Sequence, residues 1–259
     1  MTEWFEQWFG EEYHALYPHR DDEDARRAVA LIHSVVPWGQ NDRILDLACG
    51  PGRHAAELAR WGRGGGGGQI VGFDLSRAML RRARERSGGA LVRGDMRALP
   101  FRDGSFALAV NLFTSFGYFL DEDENRRVVS QVAAALAPGG HFVLDYLNAE
   151  HVRRTLKVTE QAKGRDVVVR RRIDGANRFV IKEIELRDEG RRFEERVRLY
   201  GADRIVCGTD GTEFGCEWTS KALAEAEIGE EARDKILHRN AAAMLSPLAT
   251  IAPLERAAA

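Results

Sequence analysis

Apolar runs of three to seven residues alternate with segments of helical periodicity over the first 150 positions of the chain. The runs are short and bounded by turn residues, which is typical of buried strands. They predict strands at 44–47, 69–73, 90–92, 106–112 and 141–147. Between them, apolar positions three and four apart predict helices at 54–60, at 77–86 and after Asp121. Alternating strands and helices predict an α/β fold with a doubly wound, mostly parallel sheet.

The segment before the first strand is helical and aromatic. A helix is predicted from Asp22, and Pro37 ends it. Six aromatic side chains occupy the first twenty residues, and two interpretations are open. They form a helix whose aromatic side caps the core, or they form a lid over a ligand site. In the second case Tyr13, Tyr17, His19 or Arg20 reaches into the site.

Residues 150–200 depart from this rhythm. Apolar and charged residues alternate at 167–173, 179–186 and 193–200, which predicts an antiparallel meander with one solvated face. The segment holds 15 basic and 10 acidic residues, and its run Arg170–Arg172 admits binding to nucleic acid or to an acidic substrate. Charged side chains on solvent-exposed strand faces account for the same residues without a binding partner, and we expect no nucleic-acid partner.

The overall composition is that of a soluble globular protein. The 259 residues are 44% hydrophobic and 30% charged, with a formal net charge of −2, which argues against a general nucleic-acid binder. No apolar run approaches the length that spans a bilayer, and the acidic, aromatic N-terminus is unlike a signal peptide. Three cysteines, with Cys49 in a glycine turn, indicate a reducing compartment. We therefore expect a cytoplasmic protein without a membrane partner, and the sequence leaves its oligomeric state open.

Three strand ends carry the residues of a nucleotide-type ligand site. The first strand ends at a tight turn, Gly50–Gly52, which leads into a helix and leaves backbone N–H groups facing open space. Asp46 lies near the mouth of this turn. Asp74 ends the second strand, where a carboxylate accepts hydrogen bonds from two vicinal ribose hydroxyls. Asp95 ends the third strand, at the level of an adenine ring, and the run 62–68 is a glycine-rich insertion.

Taken together, these segments resemble the class I S-adenosylmethionine-dependent methyltransferases. The resemblance rests on LDLACGPG (45–52), Asp74, GDM (94–96), NLFTSFGYF (111–119) and the APGG turn (137–140). It implies S-adenosyl-L-methionine as cofactor, S-adenosyl-L-homocysteine as product, and a small-molecule acceptor. The cofactor-binding residues that it implies are Tyr13, Asp46, Ala48, Cys49, Gly50, Gly52, Asp74, Leu75, Met79, Asp95, Met96, Asn111, Leu112 and Phe113. Tyr118 and Asn111 are the candidate catalytic residues, available to orient or deprotonate an acceptor.

The short glycine turn argues against a dinucleotide-binding function. A dinucleotide site needs a longer glycine cradle for its pyrophosphate, and the full G-x-G-x-x-G is absent because His54 and Ala55 follow Gly52. Two alternatives remain open: a binding protein that retains the cofactor pocket without turnover, and, from the basic meander, an RNA methyltransferase.

The last sixty residues do not fit the resemblance. We expect a cofactor-binding core with its N-terminal lid at 1–148, a substrate roof at 149–200, and an atypical tail at 201–259. The tail contains a possible substitute strand at 205–207 and helices at 220–227 and 230–245. It is similar to the C-terminus of metal-dependent amidohydrolases over 203–248, with Asp210 as the matching aspartate. No H-x-H motif accompanies it, so we expect no metal site.

Overall fold

A five-stranded parallel sheet is the centre of the fold. The structure is a computed structural model that describes residues 3–16, 22–36, 38–63, 69–87, 89–161, 166–201 and 230–231. The strands are β1 (Arg43–Leu47), β2 (Gln69–Asp74), β3 (Ala90–Arg93), β4 (Phe106–Asn111) and β5 (Leu136–Leu144). Their order is β3-β2-β1-β4-β5, and all four pairings are parallel. The sheet confirms the predicted doubly wound α/β fold.

Helices connect and cover these strands. They are α1 (Trp4–Trp8), α2 (Glu11–Leu16), α3 (Asp22–Val35), α4 (Arg53–Arg63), α5 (Arg77–Ser87), α6 (Glu122–Ala135) and α7 (Ala149–Thr155). Helix α4 connects β1 to β2 on one side of the β1–β4 pair, and α6 connects β4 to β5 on the other side. Because such connections are right-handed, the two helices lie on opposite faces of the sheet. Asp121 caps α6 by accepting a hydrogen bond from the backbone N–H of Asp123 at 2.9 Å.

The core between the sheet and its helices is apolar and closely packed. Val29 of α3, Leu58 of α4, Ile44 of β1 and Leu108 of β4 belong to one buried cluster, and each is at most 1% exposed. Burying side chains of this size stabilises the fold by about 1.5–3 kcal/mol each. The cluster fixes α4, and with it the turn that precedes the helix, against the sheet.

The predicted meander forms a second, antiparallel sheet. Its strands, in order, are β6 (Thr159–Gln161), β7 (Val167–Ile173), β8 (Phe179–Leu186) and β9 (Arg191–Arg198). Trp8 of α1 packs on its apolar face with Val167, Val169 and Ile184. Both sheets belong to one compact unit, which lies within the described residues of 1–147 and 151–199.

The fifth strand differs from its prediction. It begins at Leu136 and ends at Leu144, whereas the apolar pattern placed it at 141–147. The predicted turn at 138–140 lies inside the strand, because the pairing with β4 shifts register between Phe106 and Leu108 and so accommodates the extra residues. One further backbone hydrogen bond to β4 follows the last residue of the strand, from the N–H of Asp145 to the carbonyl of Asn111 at 2.9 Å.

The unusual tail is largely outside the described residues. Outside the described residues lie Asp210, the predicted strand at 205–207, the predicted helix at 220–227 and all but two residues of the predicted helix at 230–245. Within the residues that are described, no group of three or more His, Cys, Asp or Glu side chains is placed to hold a metal ion. No helix within those residues is long and apolar enough to cross a membrane.

Candidate functional site

A cavity of about 350 Å³ opens where β1, β2, β3 and β4 end. This position is the edge of the sheet at which the strand order reverses between β1 and β4, and open α/β sheets bind ligands there. The residues after each strand contribute to its wall, and so does the N-terminal segment. The lining includes Phe5, Phe9, Tyr13, Ala48, Cys49, Gly50, Arg53, His54, Asp74, Leu75, Met79, Asp95, Met96, Leu112, Phe113, Ser115, Tyr118 and Phe119. Eleven residues that the resemblance implies as cofactor-binding are among these.

The turn after β1 uses its two outer glycines differently. Gly50 has a φ of +54° and a Cβ there would meet nothing within 4 Å, so its backbone faces open cavity. Gly52 has a φ of +79°, but a Cβ there would lie 2.9 Å from Cβ and 3.0 Å from Cα of Ala83 in α5. Gly52 is absent from the cavity lining. The structure therefore gives it a packing role between the turn and α5, where the sequence implied contact with the cofactor.

Asp74 lies at the centre of the site. One carboxylate oxygen accepts a hydrogen bond from the backbone N–H of Gly50 at 2.8 Å, and the other accepts from that of Ser76 at 2.7 Å. Burial raises the pKa of this carboxyl, although the backbone donors act in the opposite direction. The backbone of Leu75 contributes a further hydrogen bond, and because a carboxylate has about four lone-pair sites, Asp74 retains acceptor capacity for a ligand hydroxyl.

Asp46 lies behind the turn, outside the set of residues that line the cavity. Its side chain is 1% exposed, and Oδ2 has no hydrogen-bond partner in the part of the chain that the structure describes. Burial, with a contribution from the charge of Asp74, raises its pKa to about 7. The resemblance implied that Asp46 surrounds the cofactor; in the structure its carboxyl is buried outside the cavity lining, and its raised pKa favours the protonated form.

Asn111 also differs from its predicted role. Its side chain is fully buried, and Nδ2 donates to the carbonyl of Leu47 at 3.0 Å, which ties β4 to the end of β1. It is absent from the cavity lining, so the structure does not place it against an acceptor. Tyr118, the other candidate catalytic residue, does line the cavity. Its ring stacks on Phe9 with centroids 5.6 Å apart, and Trp4 meets it edge-on at 5.0 Å.

The aromatic N-terminus contacts both the second sheet and the cavity, and its role as a lid stays a prediction. Trp8 is fully buried, and its Nε1 donates to Glu195 of β9 at 3.2 Å, so α1 caps the second sheet. Phe5, Phe9 and Tyr13 line the cavity from above, as a lid would. The carbonyl of Phe9 accepts a hydrogen bond from the Ser76 hydroxyl at 2.6 Å, which joins the lid to the rim. Tyr17, His19 and Arg20 lie outside the described residues.

Arg53 contributes to the site without having been predicted. It follows the glycine turn as the first residue of α4, and its guanidinium carbon lies 4.6 Å from the centroid of the Phe113 ring. Its position directly after the turn was the available sequence signal. The adjacent His54 also lines the cavity, and burial followed by the Arg53 charge lowers its pKa to about 4. His54 is therefore neutral near pH 7, and Arg53 supplies the positive charge at this end of α4.

The basic triplet of the meander is paired across the sheet. Arg170 lies 3.0 Å from Glu185, Arg171 lies 2.8 Å from Glu160, and Arg172 lies 3.4 Å from Glu183. Each arginine thus has a glutamate on a neighbouring strand, so the run is not a concentrated positive patch. This geometry supports the interpretation of solvated strand faces.

Comparisons with known proteins agree with this geometry. Residues 44–140 match the family model described as a methyltransferase domain. Trans-aconitate 2-methyltransferase from Paracidovorax citrulli is 33% identical over 159 residues, covering 60% of this chain and 58% of the relative. Fatty-acid O-methyltransferase from Mycolicibacterium smegmatis is 33% identical, covering 47% of this chain and 44% of the relative. The chain thus spans less than two thirds of the curated relatives that it matches.

Solved structures extend the similarity to most of the chain. An amino pentose methyltransferase from Micromonospora echinaspora, solved with S-adenosylmethionine bound, is 27% identical with a TM-score of 0.52. The match covers 83% of this chain and 88% of that one. A methyltransferase from Streptomyces caelestis, CcbJ, is 21% identical with a TM-score of 0.59, covering 74% of this chain and 81% of the other, and supports the fold alone.

Proposed function

We propose that this chain is a class I, S-adenosylmethionine-dependent methyltransferase and that it transfers the cofactor's methyl group to a small-molecule acceptor. The observation that carries the proposal is the convergence of four strand ends on one cavity. Gly50 follows β1, Asp74 ends β2, Asp95 follows β3 and Phe113 follows β4, and all four line the same space. Residues more than sixty positions apart thereby form a single binding site.

The residues present fit this cofactor. The cavity volume of about 350 Å³ lies within the range of small-molecule sites. Open space beside the Gly50 backbone accepts an amino-acid tail, which a side chain there would exclude. The Asp74 carboxylate would hold the ribose hydroxyls, and Leu75, Met79 and Met96 would enclose the base.

The bound cofactor supplies an activated methyl group on a sulfonium, so the protein chiefly aligns the acceptor and excludes water. The lid residues Phe5 and Phe9 and the ring of Tyr118 form an apolar roof over the cavity. Neutral His54 adds no positive charge beside a cationic donor. Tyr118 is the candidate for orienting the acceptor through its hydroxyl, whereas Asn111 holds β4 in place.

The aromatic part of the cavity lining favours an acceptor with an apolar body. Phe5, Phe9, Phe113 and Phe119 contribute rings to the lining, and Phe113 is 40% exposed. Aromatic side chains offer large apolar contact areas to such a ligand. The names of the relatives supply a panel to test: fatty acids, trans-aconitate and demethylmenaquinone.

Calorimetry with S-adenosylhomocysteine tests the cofactor part of the proposal. We expect binding, and we expect Asp74→Ala to weaken it about tenfold or more because charge-assisted hydrogen bonds are lost. Asp103→Ala, an exposed aspartate before β4, is the matched control and should bind like the parent chain. A folded protein that binds no S-adenosylhomocysteine would end the proposal.

Methyl transfer itself needs a separate measurement. Incubation with methyl-labelled cofactor and the acceptor panel, followed by mass spectrometry, should show a labelled product. Cofactor binding without transfer to any acceptor in a broad panel would instead favour a binding protein that lacks turnover.

A further inference from the structure

The wall of the cavity that follows β3 contains an ion-pair cluster of Asp95, Arg97 and Glu124. The guanidinium of Arg97 contacts both oxygens of the Asp95 carboxylate: Nε lies 3.1 Å from Oδ1 and 3.0 Å from Oδ2, and Nη2 lies 2.6 Å from Oδ2. The backbone N–H of Arg97 also donates to Oδ1 at 2.8 Å. Because the fork is planar and rigid, it fixes both the plane and the rotamer of the carboxylate.

Arg97 is itself held by two further contacts. Its Nη1 pairs with Glu124 of α6, and its guanidinium carbon lies 4.5 Å from the centroid of the Phe119 ring. The side chain is 21% exposed, so this is not a freely moving surface ion pair. Asp95 and Phe119 line the cavity and Arg97 is absent from its lining, which means that Arg97 acts on a ligand through its neighbours.

The cluster also sets the protonation state of Asp95. Partial burial raises the pKa of this carboxyl, but the hydrogen bonds and the charge of Arg97 outweigh that effect and leave the pKa below its ordinary value. An ionised carboxylate only accepts hydrogen bonds. It is therefore matched to a ligand group that only donates, such as an exocyclic amine.

We propose that Arg97 is a positioning residue that holds the Asp95 carboxylate to accept from the 6-amino group of the cofactor's purine. This inference rests on the proposed function, because it assumes that the adenosyl cofactor occupies the cavity. Loss of the Arg97 fork would free Asp95 to rotate and would reduce discrimination for the amino group. Contacts with the ribose and the amino-acid tail would be unaffected, since they lie at other strand ends.

The test compares two ligands by calorimetry on the full chain. One is S-adenosylhomocysteine, and the other is its analogue with hydrogen in place of the 6-amino group. We expect the parent chain to prefer the first by about tenfold or more, the usual scale of a hydrogen bond to a charged group. In Arg97→Gln the preference should fall to about threefold or less, as in Asp95→Ala, with little change for the deamino analogue. Arg126→Gln breaks an exposed Arg–Asp pair on α6 and should leave the preference intact.

Each other outcome is decisive. Equal weakening of both ligands in Arg97→Gln, with the preference intact, would show a merely structural role and overturn the inference. A parent chain that binds both ligands equally would overturn it while leaving the proposed function standing. A parent chain that binds neither would refute the proposed function and this inference together. If Arg97→Gln does not fold, Arg97→Lys, which retains the charge without the fork, should show an intermediate preference; full preference there also overturns the inference.

Discussion

Gly50 and Gly52 occupy the same turn, yet alanine substitutions at the two positions should have opposite consequences. Both residues have positive φ, +54° and +79° respectively, which an L side chain rarely adopts. They differ in what surrounds them. A Cβ at Gly50 would project into the open cavity, whereas a Cβ at Gly52 would meet the backbone and side chain of Ala83 in α5.

The structure gives the size of each effect. Left-handed backbone costs about 1–2 kcal/mol for a non-glycine residue, and both variants lose this much. Gly52→Ala also forces contacts of 2.9 and 3.0 Å with Ala83 atoms that cannot swing away, because one is the helix backbone. Overpacking of this kind costs about 1–3 kcal/mol. We therefore expect a loss of about 1–2 kcal/mol for Gly50→Ala and about 2–5 kcal/mol for Gly52→Ala.

Urea denaturation at 25 °C, with the free energy of unfolding extrapolated to water, measures the difference in stability between the two variants. Calorimetry with S-adenosylhomocysteine measures the difference in cofactor binding, and there Gly50→Ala should be the more affected variant. The added methyl group of Gly50→Ala occupies ligand space and should weaken binding about tenfold or more, while folded Gly52→Ala should bind more nearly like the parent chain. Equal losses of stability in the two variants, or stronger binding defects at Gly52, would refute this division of roles.

Three further predictions concern single positions near the site. Ala48 has a φ of +57°, so Ala48→Gly should raise the free energy of unfolding by about 0.5–1 kcal/mol in urea titrations; a loss would contradict the strain argument. The pKa of Asp46 is raised from 3.8 to about 7 in the folded chain. Between these values the folded chain retains a proton that the unfolded chain has lost, so the free energy of unfolding should fall as pH rises from about 4 to 7, by up to about 4 kcal/mol. Asp46→Asn should flatten that fall in urea titrations at several pH values, and an unchanged slope would exclude Asp46 as its source. Trp8→Phe leaves Glu195 without the indole donor and opens space where Trp8 packs on the second sheet, so thermal unfolding should occur several degrees lower, whereas an unchanged Tm would show that this contact contributes little.

Local patterns were sufficient for the elements of the parallel sheet. The apolar runs that predicted the first four strands agree with β1 to β4 within one residue at each end. The prediction placed the fifth strand too far along the chain, because proline and glycine at 138–140 indicate a turn in any local context. Only pairing with β4, through a change of register, allows these residues to remain in a strand.

The candidate site shows the same division at the level of single side chains. The sequence placed Asp74 and Asp95 at strand ends, and the structure confirms that both line the cavity. The resemblance also assigned Asp46, Gly52 and Asn111 to the cofactor; these assignments stay predictions, and in the structure none of the three lines the cavity. Which face a residue presents depends on what the neighbouring strand or helix leaves open, and spacing along the chain does not contain that information.

By itself, the sequence determined the order of strands and helices, the glycine turn, and the acidic residues that end successive strands, because burial and backbone preference are written in short windows. Only the tertiary structure decided which of these residues meet. Trp4 lies against Tyr118, Trp8 bonds Glu195, and Arg97 reaches Glu124 on α6, across separations that no local pattern encodes. Contacts of this kind arise when independent apolar faces find their packing partners, so the contacts of the aromatic N-terminus and the Asp95 cluster became visible only in three dimensions.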